Sequence, residues 1–198
     1  VIHHLIGVIA VVGKDGDAAV RESISVRSSS SAALREQMVT FIDKMRENGA
    51  DTEAEIVERY MEAAEQEGVT LAVEPFTKYT THICNEASQL RRLLRTVNSP
   101  RLMGLADTDV IATTAVDTFS TFLDVIGPEN LGHVHFVDGN PGGHLVPGDG
   151  VLDLDGALEK LKAIHYTGAL GLEVLDRRYV FAPEAAMKQA MDWYKERI

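Results

Sequence analysis

Cysteine is almost missing. Cys84 stands alone among 198 residues, so no intrachain disulfide can form and a reducing compartment is the expected setting. Basic residues are in deficit. Nineteen Lys and Arg against thirty Asp and Glu leave a formal charge of −11, which argues against nucleic acid or an anionic membrane surface as partner. Long apolar runs are lacking too. The longest, residues 1–12, is broken by His3 and His4 and falls short of the roughly 20 residues needed to cross a bilayer. It carries neither a basic leader nor a small-residue cleavage site, so no signal peptide is expected and the protein reads as cytoplasmic. What remains is ordinary: 45% hydrophobic and 25% charged residues, enough for a sizeable soluble core. The chain opens on valine, which leads us to expect a piece of a longer translation product.

Hairpin signals are also absent, and helical and strand-like segments alternate instead. Three–four apolar spacing from Thr52 predicts an amphipathic helix running towards Gly68. A strand at 70–74 follows, then a helix at 86–96 capped by Asn85 and stopped before Pro100. Next come a strand at 101–107, a loop, a helix at 115–126 ended by Gly127-Pro128, and a strand at 132–138. After the Gly/Pro-rich loop 139–150, Asp153 is expected to cap a helix at 154–165. A strand at 168–174 and a helix from Pro183 to about 196 complete the pattern. This order means a parallel α/β sheet. The first fifty residues offer a strand at 1–12 and a helix at 32–48, joined through the serine run 28–31, with no room for a strand before Thr52. About five strands can be counted. An (β/α)8 barrel has eight, so we expect one domain over 1–198 with the architecture of an incomplete TIM barrel, regular from 52 to 198.

Four chemically pointed residues close successive strand segments: Glu74, Asp107, His135 and Glu173, at gaps of 33, 28 and 38 residues. Each gap is about one strand–helix unit. A parallel barrel brings the carboxyl ends of its strands to one mouth, and three carboxylates converging with an imidazole point to a bound cation. Oxygen ligands with one imidazole suit a hard divalent ion, with Mn²⁺ first and Mg²⁺, Co²⁺ or Zn²⁺ as alternatives. His133 shares a strand face with His135 and is read as a neighbour of the site, in substrate binding or packing. Met103 and Leu105 fall on the face of Asp107, which does not fit a purely polar mouth. If the ion chelates a carbonyl and a hydroxyl, the adjacent C–H becomes acidic. One glutamate could then remove the proton while the other returns it to the opposite face. Glu74 and Glu173 are the candidates, for epimerisation at a carbinol carbon or aldose–ketose isomerisation.

The segments Val73-Glu74-Pro75-Phe76, Leu105-Ala106-Asp107, His133-Val134-His135-Phe136-Val137-Asp138, His144-Leu145-Val146-Pro147-Gly148-Asp149-Gly150 and Leu172-Glu173-Val174 resemble the xylose-isomerase-like TIM barrels. Within that group they look most like the ketose 3-epimerases of the fructoselysine and D-tagatose type. Residues 98–110 favour the fructoselysine branch. The resemblance covers about 52–198. It implies that Glu74, Asp107, His135 and Glu173 hold Mn²⁺ or a similar ion, that Glu74 and Glu173 move the proton, and that His144 contacts a substrate hydroxyl. It departs at Thr80, where the family often has a glutamate, and at Val110, where tagatose-type enzymes have a histidine.

Other residues carry weaker signals. Asp138 and Asn140 either orient the substrate or shape the turn. Lys78 reads as solvated before it reads as an electrophile, and Arg177 and Arg178 as a surface pair before an anion site. Phe76 and Trp193 are read as packing residues. The leading expectation is a metal-dependent sugar epimerase or isomerase with a small-molecule sugar as partner. A dehydratase or hydrolase on the same scaffold is an alternative, and so is an inactive half-barrel that keeps the ligands. Open sheet edges would favour a homo-oligomer.

Overall fold

Side-chain alternation sorts the strands of this computed structural model into two faces, one packed by helices and one turned inward. The structure describes residues 9–12, 61, 64–66, 68–80 and 84–197. The expected helix at 32–48, its serine link and most of the helix from Thr52 lie outside those residues. In β2 (Thr70–Val73), Leu71 and Val73 enter the main apolar core while Ala72 and the following Glu74 take the inner side. In β3 (Leu102–Asp107), Leu102 and Ala106 face the core. In β4 (Leu131–His135), Leu131 and Val134 do so, with Phe136 just beyond.

The sheet has five described strands in chain order: β1 (Ile9–Val12), β2, β3, β4 and β5 (Leu170–Gly171). From β2 to β5 every pairing is parallel, and intervening helices make successive βα units of a barrel wall. β1 departs from the parallel-sheet expectation. It pairs antiparallel with β2, from Ile9 opposite Val73 to Val12 opposite Thr70. An edge strand is satisfied by a partner of either polarity, and pairing between segments so far apart in sequence leaves no local signature.

Helix α1 (Ala87–Val97) starts one residue later than expected. Glu86, not Asn85, is the N-cap. The Gln89 side-chain oxygen accepts from the backbone N–H of Asn85 (2.6 Å) and of Glu86 (3.2 Å). The Asn85 amide instead donates to the Phe76 carbonyl at 2.5 Å. The region after β3, read as a loop before one helix, holds two helices: α2 (Thr108–Thr114) and α3 (Phe119–Ile126). The Thr and β-branched content of α2 gives it a weak helical propensity. Its first turn is set by the Asp107 Oδ1 atom, which accepts from the N–H groups of Asp109 and Val110 at 2.8 Å each. α4 (Leu154–Ala163) is capped by Asp153 and α5 (Pro183–Lys195) opens on Pro183, both as expected. β4 and β5 are shorter than the segments 132–138 and 168–174. Beyond β4 the chain turns into a loop closed by a bridge between Asp138 and Leu145.

The main core lies between the sheet and α1, α3 and α4, with Leu90, Phe122, Leu123, Ile126 and Leu158 among its buried residues. Phe136 packs against Trp193 and Tyr194 of α5, and the Tyr194 hydroxyl donates to the Phe136 carbonyl at 2.7 Å. On the inner side Leu105 is fully buried and pairs in register with His133, one step below Asp107 opposite His135. The apolar residue on the face of Asp107 is therefore a packed layer of the barrel interior beneath the polar mouth. No described helix is long and apolar enough to cross a membrane.

Candidate metal centre

The parallel register carries Glu74, Asp107, His135 and Glu173 to one end of the sheet, where each offers a ligand atom within 4.8 Å of the others. The His135 Nδ1 atom is the hub. It lies 3.3 Å from Glu74 Oε1, 3.5 Å from Asp107 Oδ2 and 3.2 Å from Glu173 Oε2. Glu74 and Asp107 are buried, whereas the Glu173 side chain is 31% exposed, so the cluster opens to solvent on the β5 side. Glu74 Oε2 and Asp107 Oδ2 are buried oxygens with no hydrogen bond. Burying an unsatisfied carboxylate oxygen costs several kcal/mol unless something positive meets it. Ligands around a hard cation at about 2.0–2.6 Å stand roughly 3–5 Å apart, which matches this spacing. The donor set, the orphaned oxygens and the compactness all fit one divalent ion.

The protonation pattern has the same cause. Burial pushes the Glu74 carboxyl up to about 7, against the hydrogen bond and charge of His135. Burial would also raise Asp107, but the imidazoles of His135 and His144 beside it hold it well below the usual carboxylate range. For His135 burial works downward and is overcome by the carboxylates of Asp107, Glu173 and Glu74 around it, which push it up to about 12. Ion-free, the cluster therefore holds a proton on the imidazole in place of a cation. His133 goes the other way, down to about 4, because it is buried and stands beside His135. The two rings meet edge-on with centroids 5.3 Å apart.

His144 reaches the same place from the loop 139–150. Its Nε2 atom lies 3.3 Å from Asp107 Oδ2 and 3.6 Å from Glu173 Oε2. Burial would lower this imidazole, yet Asp107 and Asp109 raise it to about 10. Asp138 is placed differently. Its Oδ1 accepts from the N–H groups of Gly139 and Leu152, and its Oδ2 from those of Gly148 and Gly150, all at 2.8–3.0 Å. Both of its carboxylate oxygens accept from backbone N–H groups of the loop. Lys78 pairs with Glu86 at 2.7 Å and Arg178 with Asp176 at 3.1 Å.

Sequence reasoning missed Asp109. It is fully buried and binds the His144 ring and the loop backbone, as described below. Its only sequence signal was an acidic residue two positions after Asp107, which reads equally well as an ordinary first-turn helix acid.

Over 144 residues the chain is 29% identical to fructoselysine 3-epimerase of Escherichia coli O157:H7, covering 72% of this chain and 51% of that protein. The chain thus spans about half the length of the curated relatives it matches. The crystal structure of 3-keto-D-glucoside 4-epimerase from E. coli superposes with a TM-score of 0.63 at 23% identity, over 74% of this chain and 54% of that one. That of D-psicose 3-epimerase in the presence of D-fructose gives 0.56 at 25% identity, over 62% and 40%. The family model described as xylose isomerase-like TIM barrel matches residues 21–197. With strand ends gathered at one mouth and a family match over nearly the whole sequence, this chain belongs to the xylose isomerase-like TIM barrel family.

Proposed function

We propose that the chain forms the site-bearing part of a sugar epimerase or isomerase that depends on a divalent metal. Glu74, Asp107, His135 and Glu173 would hold the ion. One observation carries the reading: Glu74 and Glu173 approach the same imidazole nitrogen from the two outer strands of the parallel set, β2 and β5. When bound, the ion polarises a substrate carbonyl and acidifies the neighbouring C–H. One glutamate carboxylate accepts that proton, and the other delivers a proton to the opposite face of the same carbon, inverting it. Return of the proton to the adjacent carbon would instead give aldose–ketose isomerisation. His144, with Nε2 facing Asp107 and Glu173, is suited to a substrate hydroxyl. His133, down-shifted and neutral at pH 7, packs behind His135. Asp138 holds the loop that carries His144. The fructoselysine 3-epimerase relative favours a ketose or fructosamine-type substrate, and Mn²⁺ is our first choice of ion, with Mg²⁺, Co²⁺ and Zn²⁺ behind it.

The test has two stages. Calorimetry should show one Mn²⁺ bound per chain, and solvent deuterium should then enter the substrate in a panel of ketoses. Glu74→Gln should cut exchange by at least about 100-fold, the lower end of what one proton-transfer group contributes, while leaving Mn²⁺ binding measurable. Absence of Mn²⁺ binding would remove the site. Unchanged exchange in the Glu74 variant would remove Glu74 from the proton transfer.

A further inference from the structure

The loop carrying His144 is held at its critical point by one buried carboxylate that the reaction above does not use. Asp109 Oδ1 accepts from the Gly142 N–H at 2.5 Å, and Oδ2 accepts from the His144 N–H at 3.0 Å. The same Oδ2 lies 3.0 Å from the ring Nδ1 of His144. Asp109 is 0% exposed, and the chain makes room for it: a Cβ on Gly139 would fall 1.8 Å from Asp109 Oδ1. His144 adopts a left-handed backbone conformation, φ 48°, uncommon for a residue other than glycine. A carboxylate oxygen can only accept, so the Nδ1 of His144 must carry the hydrogen in this bond. The other ring nitrogen, Nε2, is then the one turned to Asp107 and Glu173.

We propose that Asp109 is the positioning residue of this site: it fixes the orientation of the His144 ring, so that Nε2 is presented to an oxygen of the bound sugar. This rests on the functional reading above, in which His144 meets the substrate. Asp109 does not touch the substrate. It acts through His144, as carboxylates that orient a functional histidine do elsewhere. The loop's other two anchors are independent of it. Asp138 ties the backbone of residues 139–152, while Asp149 accepts from the Tyr179 hydroxyl at 2.6 Å and from Gln189 at 2.7 Å. Loss of the Asp109 carboxylate should therefore loosen the ring of His144 while both flanks of the loop stay tied.

Two measurements on the intact protein decide this. The first needs no turnover: in ¹⁵N-histidine spectra of the wild type, the Nδ1 of His144 should be protonated and hydrogen-bonded, and Asp109→Asn should shift or abolish that signal. A bare Nδ1 in the wild type, or an unchanged His144 signal in the variant, overturns the proposal. The second is a double-mutant cycle. Asp109→Asn and His144→Gln should each lower kcat/KM by about 10–100-fold, and the double variant should lie within about twofold of the worse single. Multiplying losses would mean that Asp109 acts independently of His144 and would overturn the proposal. So would a fall in Mn²⁺ affinity beyond about tenfold in Asp109→Asn, because it would place Asp109 with the ligands. A wild type that exchanges no sugar proton defeats the functional reading, while the ¹⁵N spectra still decide whether Asp109 sets the ring.

Discussion

At the scale of single residues, His135 determines how the site answers to pH. With three carboxylates around it, its imidazole holds a proton up to about pH 12 when no ion is bound, and a metal-ligating imidazole must give that proton up. Burial also leaves Glu74 partly protonated near pH 7. The sign follows directly: ion binding releases protons, so apparent Mn²⁺ affinity rises with pH. At least one proton should leave per ion, which makes the increase at least about tenfold per pH unit between pH 6 and 8. Calorimetry in buffers of different ionisation enthalpy measures that release, and an affinity independent of pH would place the imidazole proton elsewhere. Asp109 shows the limit of reading residues singly. Its sequence position, two after a strand-end aspartate, resembles many helix first turns. Its role appears only once the chain returns with Gly142 and His144, more than thirty residues later.

At the scale of elements, the most constrained piece is the shortest. β5 has two residues, and one of them, Gly171, lies against both histidines of β4. A Cβ there would stand 2.7 Å from His133 Nε2 and 3.2 Å from His135 Cδ2. Gly171→Ala should therefore push His133 onto His135, at an overpacking cost of about 1–3 kcal/mol. Both thermal stability and Mn²⁺ affinity should fall, as unfolding curves and calorimetry would show; a variant with unaltered affinity would mean that the histidines have room to give. Elements were legible from sequence where local rules govern them. Asp153 and Pro183 mark helix starts, and apolar alternation marks β2 to β4. α2 was hidden because its residues favour helix weakly and its start depends on Asp107, a residue already assigned to a strand end and to the ligand set. Asp107 does two jobs with two oxygens: Oδ1 caps the helix, and Oδ2 remains for the cluster.

For the whole molecule, the ligand quartet was readable because a parallel barrel turns even spacing in sequence into convergence in space. The antiparallel β1 was not, because nothing within a strand records which way its distant partner runs. The same convergence ties the ion to the stability of the fold. Two buried oxygens without hydrogen bonds, among three carboxylates, destabilise the ion-free protein, so Mn²⁺ should raise the melting temperature in a concentration-dependent way. The expected gain is about 2.7 kcal/mol at a hundred times the dissociation constant. Asp107→Asn should remove most of that gain while its remaining side-chain oxygen still caps α2. Melting that ignores Mn²⁺ in the wild type would separate the cluster from metal binding.

The brevity of β5 has one more consequence. Two residues of ladder are a weak hold on the last of the described strands, and the segment that follows carries Glu173. Whatever grips Glu173 therefore also staples this margin of the sheet to the strands that bear Glu74, Asp107 and His135. The mouth of the barrel is thus a seam as well as the proposed reaction site, and when the site empties, fraying should begin along that seam.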